Sequence, residues 1–271
     1  LPSWDGVSDP IGDLADTVHV KSDQAEFRDY FRKWFVGILP ALLDDTVVNH
    51  EILVLIGEQG LYKTTWFNFL LPPELRCYFY TKTNSDRLNK DDLFSLTEFA
   101  LICFEELDGM RPAELNQLKA MVTMPYVNER AAYGRNKERH PHIASFCGTG
   151  NNVQFLTDPT GNRRWLPFEV SQIRDPHLHA IPYELVYSQA YALWKSGFCH
   201  WFSQEEIRKL NMHNSRFEVP NLEEDLIRTH FRKPFEGEAG IFVTAADILE
   251  QISSCLRYPL SPNKIGRIMA G

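Results

Sequence analysis

Apolar residues along the chain fall into two recurring patterns. Four short runs, 51–56, 100–104, 143–147 and 165–170, have the length and composition of strands buried on both faces. A fifth, Arg76–Lys82, is less apolar but reads the same way. Elsewhere apolar positions recur at three and four. Phe27, Tyr30, Phe31, Trp34, Phe35 and Ile38 mark an amphipathic helix over Ser22–Leu43, kinked or ended by Pro40. Further helices are predicted at Thr64–Leu71 before Pro72-Pro73, at Lys90–Phe99 with Asn89 or Asp91 as cap, and at Pro112–Val122. Strands alternating with helices at this spacing predict an α/β fold with a mostly parallel sheet.

The two ends read differently. Leu1–Val20 carries Pro2, Gly6, Pro10 and Gly12 with little periodicity, a loop-rich lead-in. After Val170 the pattern is helical at Pro182–Lys195, Gln204–Asn211 and Leu222–Lys233, the last with Asn221 as cap and Pro234 just beyond. Helices at Thr244–Cys255 and Ser261–Met269 suggest a separate small unit. The expected organisation is therefore a lead-in over 1–45, a core over 46–172, a helical region over 173–234 and an appendage over 235–271.

Composition narrows the class. With 271 residues, 44% hydrophobic and 13% aromatic, the chain can bury enough apolar surface to offset its ordering entropy. The longest apolar run, Phe99–Phe104, falls far short of the roughly 18 residues of a membrane span. Five cysteines, an odd number without a CxxC pair, fit a reduced cytoplasmic protein without structural zinc. His140 and His142, like His177 and His179, lack metal partners. A net charge of −8 disfavours a uniformly basic nucleic-acid binder and leaves room for a local basic patch. Opening on Leu1 and stopping just past a helical stretch, the chain reads as part of a longer protein.

The chemistry concentrates after the first apolar run. Gly57-Glu58-Gln59-Gly60-Leu61-Tyr62-Lys63-Thr64-Thr65 follows a predicted strand and opens a predicted helix, the context that a phosphate-binding loop requires. Backbone N–H groups of such a loop converge on an anion, the lysine reaches the β- and γ-phosphates, and the Thr64 hydroxyl joins a Mg²⁺ shell. Tyr62 departs from the pattern, standing where glycine normally precedes the lysine. Helical dihedrals at that position would turn its ring aside.

Glu105 and Glu106 end the strand 100–104, which is expected beside the phosphate-loop strand. Glu105 is assigned to the metal and Glu106 to the base that polarises water, with Asp108 able to take either role. Asn151, after Gly148-Thr149-Gly150, would orient the attacking water or contact the γ-phosphate; a plain turn asparagine is the alternative. Lys63, Glu105 and Asn151 thus form a series of strand ends, where open α/β sheets bind ligands. Arg163 and Arg164, in a turn-rich loop, are either arginine-finger candidates for a neighbouring subunit's γ-phosphate or a solvated pair. The stretch 130–142 has four basic residues (Arg130, Arg135, Lys137, Arg139) against Glu138, net +3. It reads as a basic hairpin for nucleic-acid phosphates or as a charged loop.

Together these residues resemble the virulence-associated protein E family of phages and mobile elements, itself similar to superfamily 3 helicases. The resemblance covers roughly residues 1–170. It rests on Leu1-Pro-Ser-Trp-Asp-Gly6, the phosphate loop, Glu105-Glu106-Leu107, Leu118-Lys119, Glu129-Arg130, Tyr133-Gly134-Arg135, Gly148-Thr149-Gly150-Asn151 and Asp158-Pro-Thr-Gly-Asn-Arg-Arg-Trp-Leu-Pro167. It implies a P-loop NTPase fold, an AAA+-like three-layer core, with a truncated winged-helix start from Ile241. It further implies a DNA-replication ATPase and helicase using ATP and Mg²⁺, ring assembly (a hexamer by analogy) and a primase domain upstream. On that resemblance Lys63 and Thr64 bind nucleotide and Mg²⁺, Glu105 and Glu106 serve hydrolysis, and Asn151 is the sensor. Arg163 and Arg164 are finger candidates, and Arg135, Lys137, Arg139 and His140 contact single-stranded or forked DNA. The competing expectations are a non-hydrolysing nucleotide-responsive or DNA-binding scaffold, and a small-molecule kinase, for which no acceptor-site signature exists.

Overall fold

The computed structural model describes residues 3–83, 90–129, 138–157, 161–220, 222–232, 235 and 237–253, with 262, 265, 266 and 269 beyond them. The chain divides into two units, Leu1–Glu218 and Val219–Gly271. The first runs α1 (Pro10–Ala15), β1 (Val18–Val20), α2 (Gln24–Leu43), β2 (Ile52–Ile56), α3 (Lys63–Phe69), β3 (Phe79–Lys82), α4 (Lys90–Glu98) and β4 (Leu101–Phe104). It continues through α5 (Pro112–Val122), β5 (Tyr126–Glu129), β6 (Glu138–Pro141), β7 (Ser145–Gly150), β8 (Trp165–Ile173), α6 (Tyr183–Lys195) and α7 (Gln204–Asn214). The second unit contributes α8 (Leu222–His230) and α9 (Ala245–Ser253), packed through Ile227, Ile248, Ile252 and Ile265.

Strands lie in the order β1-β8-β2-β7-β4-β3. The five from β8 to β3 are parallel, and β1 closes the edge antiparallel to β8. Alternate residues of β2 supply both faces: Leu53 and Leu55 join one apolar cluster, Ile52, Val54 and Ile56 the other. The first cluster holds Phe27, Phe31, Trp34 and Phe35 of α2, Trp66 and Phe67 of α3 and Val186 of α6. The second holds Leu96 of α4 and Leu115, Leu118 and Met121 of α5. Helices therefore cover both faces of the mostly parallel sheet that the alternating pattern predicts, the three-layer core that the resemblance implies.

Several expectations are corrected. The strand of Glu105 is not beside the phosphate-loop strand, because β7 lies between β2 and β4. α2 continues past Pro40 to Leu43; the proline sits in the final turn, where only one helical hydrogen bond is lost. The strand expected from Arg76 starts at Phe79, since Pro73–Tyr78 forms a 3₁₀ turn after the double proline. The cap assignments Asn89 and Asn221, and most of the helix expected over 261–269, lie outside the described residues, while Asp91 falls within α4 rather than at its cap.

The lead-in is structured too. Asp9 caps α1, accepting the Gly12 N–H at 3.2 Å, and pairs with Arg28 at 2.9 Å and with Arg32, while Gln189 of α6 donates to it at 3.0 Å. Helices α1, α2 and α6 are thereby tied together by one carboxylate. Likewise His213 of α7 is buried with Nδ1 2.9 Å from Glu26 and Nε2 donating to the Pro167 carbonyl at 2.6 Å. Residues 3–45 and 173–218 thus belong to the same unit as the sheet.

Burial pushes the Asp9 carboxyl upward, but bonds from Gln189 and Arg28 and the charge of Arg32 outweigh it and hold its pKa at about 2. A depressed carboxylate adds stability above its unfolded value, near 3.8, and loses it as pH falls towards 2. Asp9 is about one-third exposed, so screening leaves roughly 1–1.5 kcal/mol of that effect. Asp9→Asn is expected to lower stability by this amount at pH 7, with the difference vanishing near pH 2; urea unfolding at several pH values measures it.

Candidate active site

The loop Gly57–Tyr62 joins the carboxyl end of β2 to the amino end of α3. Gly57 lies against β8, where a Cβ would stand 2.9 Å from the Val170 carbonyl, and its N–H donates to Gly150 of β7 at 3.1 Å. Gly60 turns the chain at φ +85. Tyr62 does not have the right-handed helical dihedrals that would have eased its presence. It is left-handed, φ 59 and ψ 18, a conformation that glycine adopts without a Cβ clash. The residue is 41% exposed and lines a cavity of about 360 Å³. Tyr62→Gly relieves roughly 1–2 kcal/mol of left-handed strain and costs roughly 0.5–1 in unfolded-state entropy. A net gain of up to about 1.5 kcal/mol is expected, measured by chemical denaturation.

The cavity is lined by Gln59, Gly60, Leu61, Tyr62, Lys63, Thr64, Thr65, Glu105, Glu106, Thr149 and Asn151. The structure thus brings together the ends of β2, β4 and β7 as the strand-end series requires. Lys63 is only 8% exposed. Its Nζ donates to the carbonyls of Gly57 and Glu58 (2.7 Å to the latter) and stands 3.4 Å from Asn151 Oδ1. All three are neutral acceptors, and burial lowers the Lys63 pKa despite the opposing charge of Asp108. An ammonium desolvated without a carboxylate partner favours an incoming anion. Thr64 donates its hydroxyl to Glu105 Oε1 at 2.8 Å, so the two oxygens assigned to a metal are adjacent.

Glu106 is exposed, also left-handed (φ 55), and begins the short turn Leu107–Gly109. Asp108 does not line the cavity. Its oxygens instead accept the N–H groups of Asn151 (3.1 Å) and Asn152 (3.0 Å), so in this structure the carboxylate is engaged by backbone amides. That bracket spans more than 40 positions and has no local signal. Thr149, read from sequence only as part of a turn, contributes to the lining.

Arg163 and Arg164 are not part of this cavity. Ile52 pairs with Trp165 and Ile56 with Glu169 in parallel, so the arginines flank the amino end of β2. At about 3.3 Å per residue, roughly 16 Å of strand separates them from the phosphate loop, beyond an arginine's reach. Arg163 is exposed; Arg164 is half-buried, with Nε lacking a hydrogen-bond partner. Burial and the Arg163 charge lower the Arg164 pKa, opposed by Glu51, whose own carboxyl is pushed up to about 7 by burial.

The basic stretch contributes one strand, β6, paired antiparallel with β5 just before the stretch, from Tyr126↔Pro141 to Glu129↔Glu138. Arg139 stacks 3.6 Å from the Tyr126 ring centroid, and His140 Nε2 is 3.5 Å from Glu138. Arg135 and Lys137 lie outside the described residues.

The family model for the virulence-associated protein E-like domain matches residues 2–219. The chain belongs to this family. Nothing among the curated proteins matches it. Among solved structures, the apo NrS-1 C-terminal region (305–718) is 13% identical at TM-score 0.49, covering 81% of this chain and 54% of that one. A second structure of that region, the A form of residues 305–718, is also 13% identical at TM-score 0.44, covering 78% and 43%. A further A-form structure is 14% identical at 0.44, covering 83% and 52%. The chain spans about half the length of these structures. Among the described residues no helix is long and apolar enough to cross a membrane.

Proposed function

We propose that this chain is an ATP-hydrolysing, helicase-like motor domain acting on single-stranded or forked DNA in phage or mobile-element replication. The observation that carries the reading is Lys63, a buried ammonium whose hydrogen-bond partners among the described residues are all neutral, at the foot of a main-chain cradle. Triphosphate oxygens would replace the loop carbonyls as its partners and supply the missing negative charge.

The donor set also fits Mg²⁺. Among the described residues no three acidic, histidine or cysteine side chains cluster, and a Thr64–Glu105 pair leaves room for water and phosphate oxygens. That is the mixed shell that this ion prefers, and when bound it would draw charge from the phosphates. Glu106 would take the proton of the attacking water, and Asn151, close to Lys63, would orient it.

Because Arg163 is beyond reach of its own phosphate loop, it is proposed to serve a neighbouring copy in a ring, a hexamer by analogy. The Arg139–Tyr126 pair suits stacking and phosphate contact with single-stranded DNA. A primase domain upstream and a cytoplasmic setting complete the proposal. Tyr62 lines the cavity yet is 41% exposed, which favours this reading over a scaffold with a plugged loop.

Calorimetric titration with ATP and Mg²⁺ tests the first step, and hydrolysis assays the second. Heat of binding is expected, with specific activity rising with protein concentration or added single-stranded DNA. Absence of heat would overturn the assignment of the loop; a flat specific activity would overturn ring assembly.

A further inference from the structure

We propose that Asp108 is a positioning residue, bracketing the loop of Asn151 to the acidic turn so that Asn151 and Glu106 face the nucleotide in fixed register. This rests on the hydrolytic reading above. Asp108 stands outside the cavity lining, so beyond the charge it presents to Lys63 it acts on turnover through its neighbours.

Its two oxygens accept two consecutive backbone N–H groups, Asn151 at 3.1 Å and Asn152 at 3.0 Å. Both bonds are charge-assisted, and together they fix the direction in which the chain leaves β7. The neighbouring contacts leave little slack. A Cβ on Gly150 would stand 3.0 Å from Asp108 Oδ1, and one on Gly148 would fall 2.3 Å from Leu107 Cδ1. The turn Leu107–Gly109 therefore seats two successive side chains over two glycines of β7. The same turn is closed by the Gly109 N–H donating to the Glu106 carbonyl at 2.9 Å, immediately after the left-handed Glu106. Movement of one strand end would drag the other. Asn151 then passes the constraint on, since its Oδ1 stands 3.4 Å from Lys63 Nζ.

Chemistry distinguishes this bracket from simple packing. Asn at 108 has nearly the same shape but offers one acceptor oxygen, and its NH₂ would face a backbone N–H, leaving that donor orphaned. A displacement of order 1 Å at a reacting group costs about a hundredfold in rate. The phosphate cradle, built from 57–65, does not involve Asp108.

The test compares wild type, Asp108→Asn and Asp108→Glu in steady-state hydrolysis, in equilibrium binding of a fluorescent ADP analogue and in amide hydrogen exchange across 148–156. For Asp108→Asn the expected result is a fall in kcat of about ten- to a hundredfold. Analogue affinity should stay within about threefold, with faster exchange at the Asn151 and Asn152 amides. Asp108→Glu, which keeps two acceptor oxygens, should recover part of the loss. Unchanged turnover in Asp108→Asn overturns the proposal, as does unchanged exchange, or an affinity loss equal to the loss of kcat. Wild type that binds the analogue but never hydrolyses ATP sinks the motor reading instead, while exchange still reports on the bracket.

Discussion

Lys63→Ala is expected to reduce ATP hydrolysis by about 10²–10³-fold, the scale seen when one preorganised stabiliser of developing charge is removed. The chain commits unusual resources to this side chain. An ammonium that is 8% exposed costs desolvation energy, and among the described residues the Gly57 and Glu58 carbonyls, Asn151 and the charge of Asp108 offset it. The variant therefore loses no ion pair, and its fold should be intact or slightly more stable. That separation is the informative part: turnover measured beside thermal unfolding should show activity falling without a fall in melting temperature. Undiminished hydrolysis in a purified variant would mean that phosphate is handled elsewhere.

Such a prediction was legible in the sequence because the phosphate loop is contiguous. Nine successive positions specify strand end, turn and helix start, so local pattern determines local structure. The alternating faces of β2 and the helical stripe of α2 were legible for the same reason. What escaped is non-local. Nothing in the run Phe99–Glu106 reveals that β7 inserts between β2 and β4, since strand order depends on which crossovers pack best. Residues 10–20 look like loop because their helix and strand are short, and Asp9 holds them through α2 and α6, far along the chain. Tyr62 was visible as a departure from glycine, but its left-handed dihedrals were not. Only the tertiary frame around the loop keeps a non-glycine residue there. Asp108 was visible as an acid near the site, but its hydrogen bonds were not, because its partners are backbone amides and carry no side-chain signature.

Arg163→Ala should show the largest defect, about 10³–10⁵-fold in turnover, with nucleotide affinity nearly unchanged. The parallel register of β2 and β8 puts this residue at the end of the sheet opposite the phosphate loop, so a catalytic contribution has to come from another copy. Exposure favours Arg163 over Arg164 for that task. Arg164 is half-buried beside Glu51, and replacing it would disturb the fold as well as any contact. The decisive form of the experiment mixes two inactive proteins. Lys63→Ala retains an intact Arg163, and Arg163→Ala retains an intact phosphate loop. If the arginine acts across a subunit boundary, equimolar mixing rebuilds complete sites and recovers a substantial share of wild-type hydrolysis. A residue that acts only within its own chain, or that merely supports the sheet, predicts a mixture as inactive as its components. Recovery that then disappears on dilution would tie the completed site to assembly, because a monomer holds the cradle at one end of its sheet and the arginine at the other.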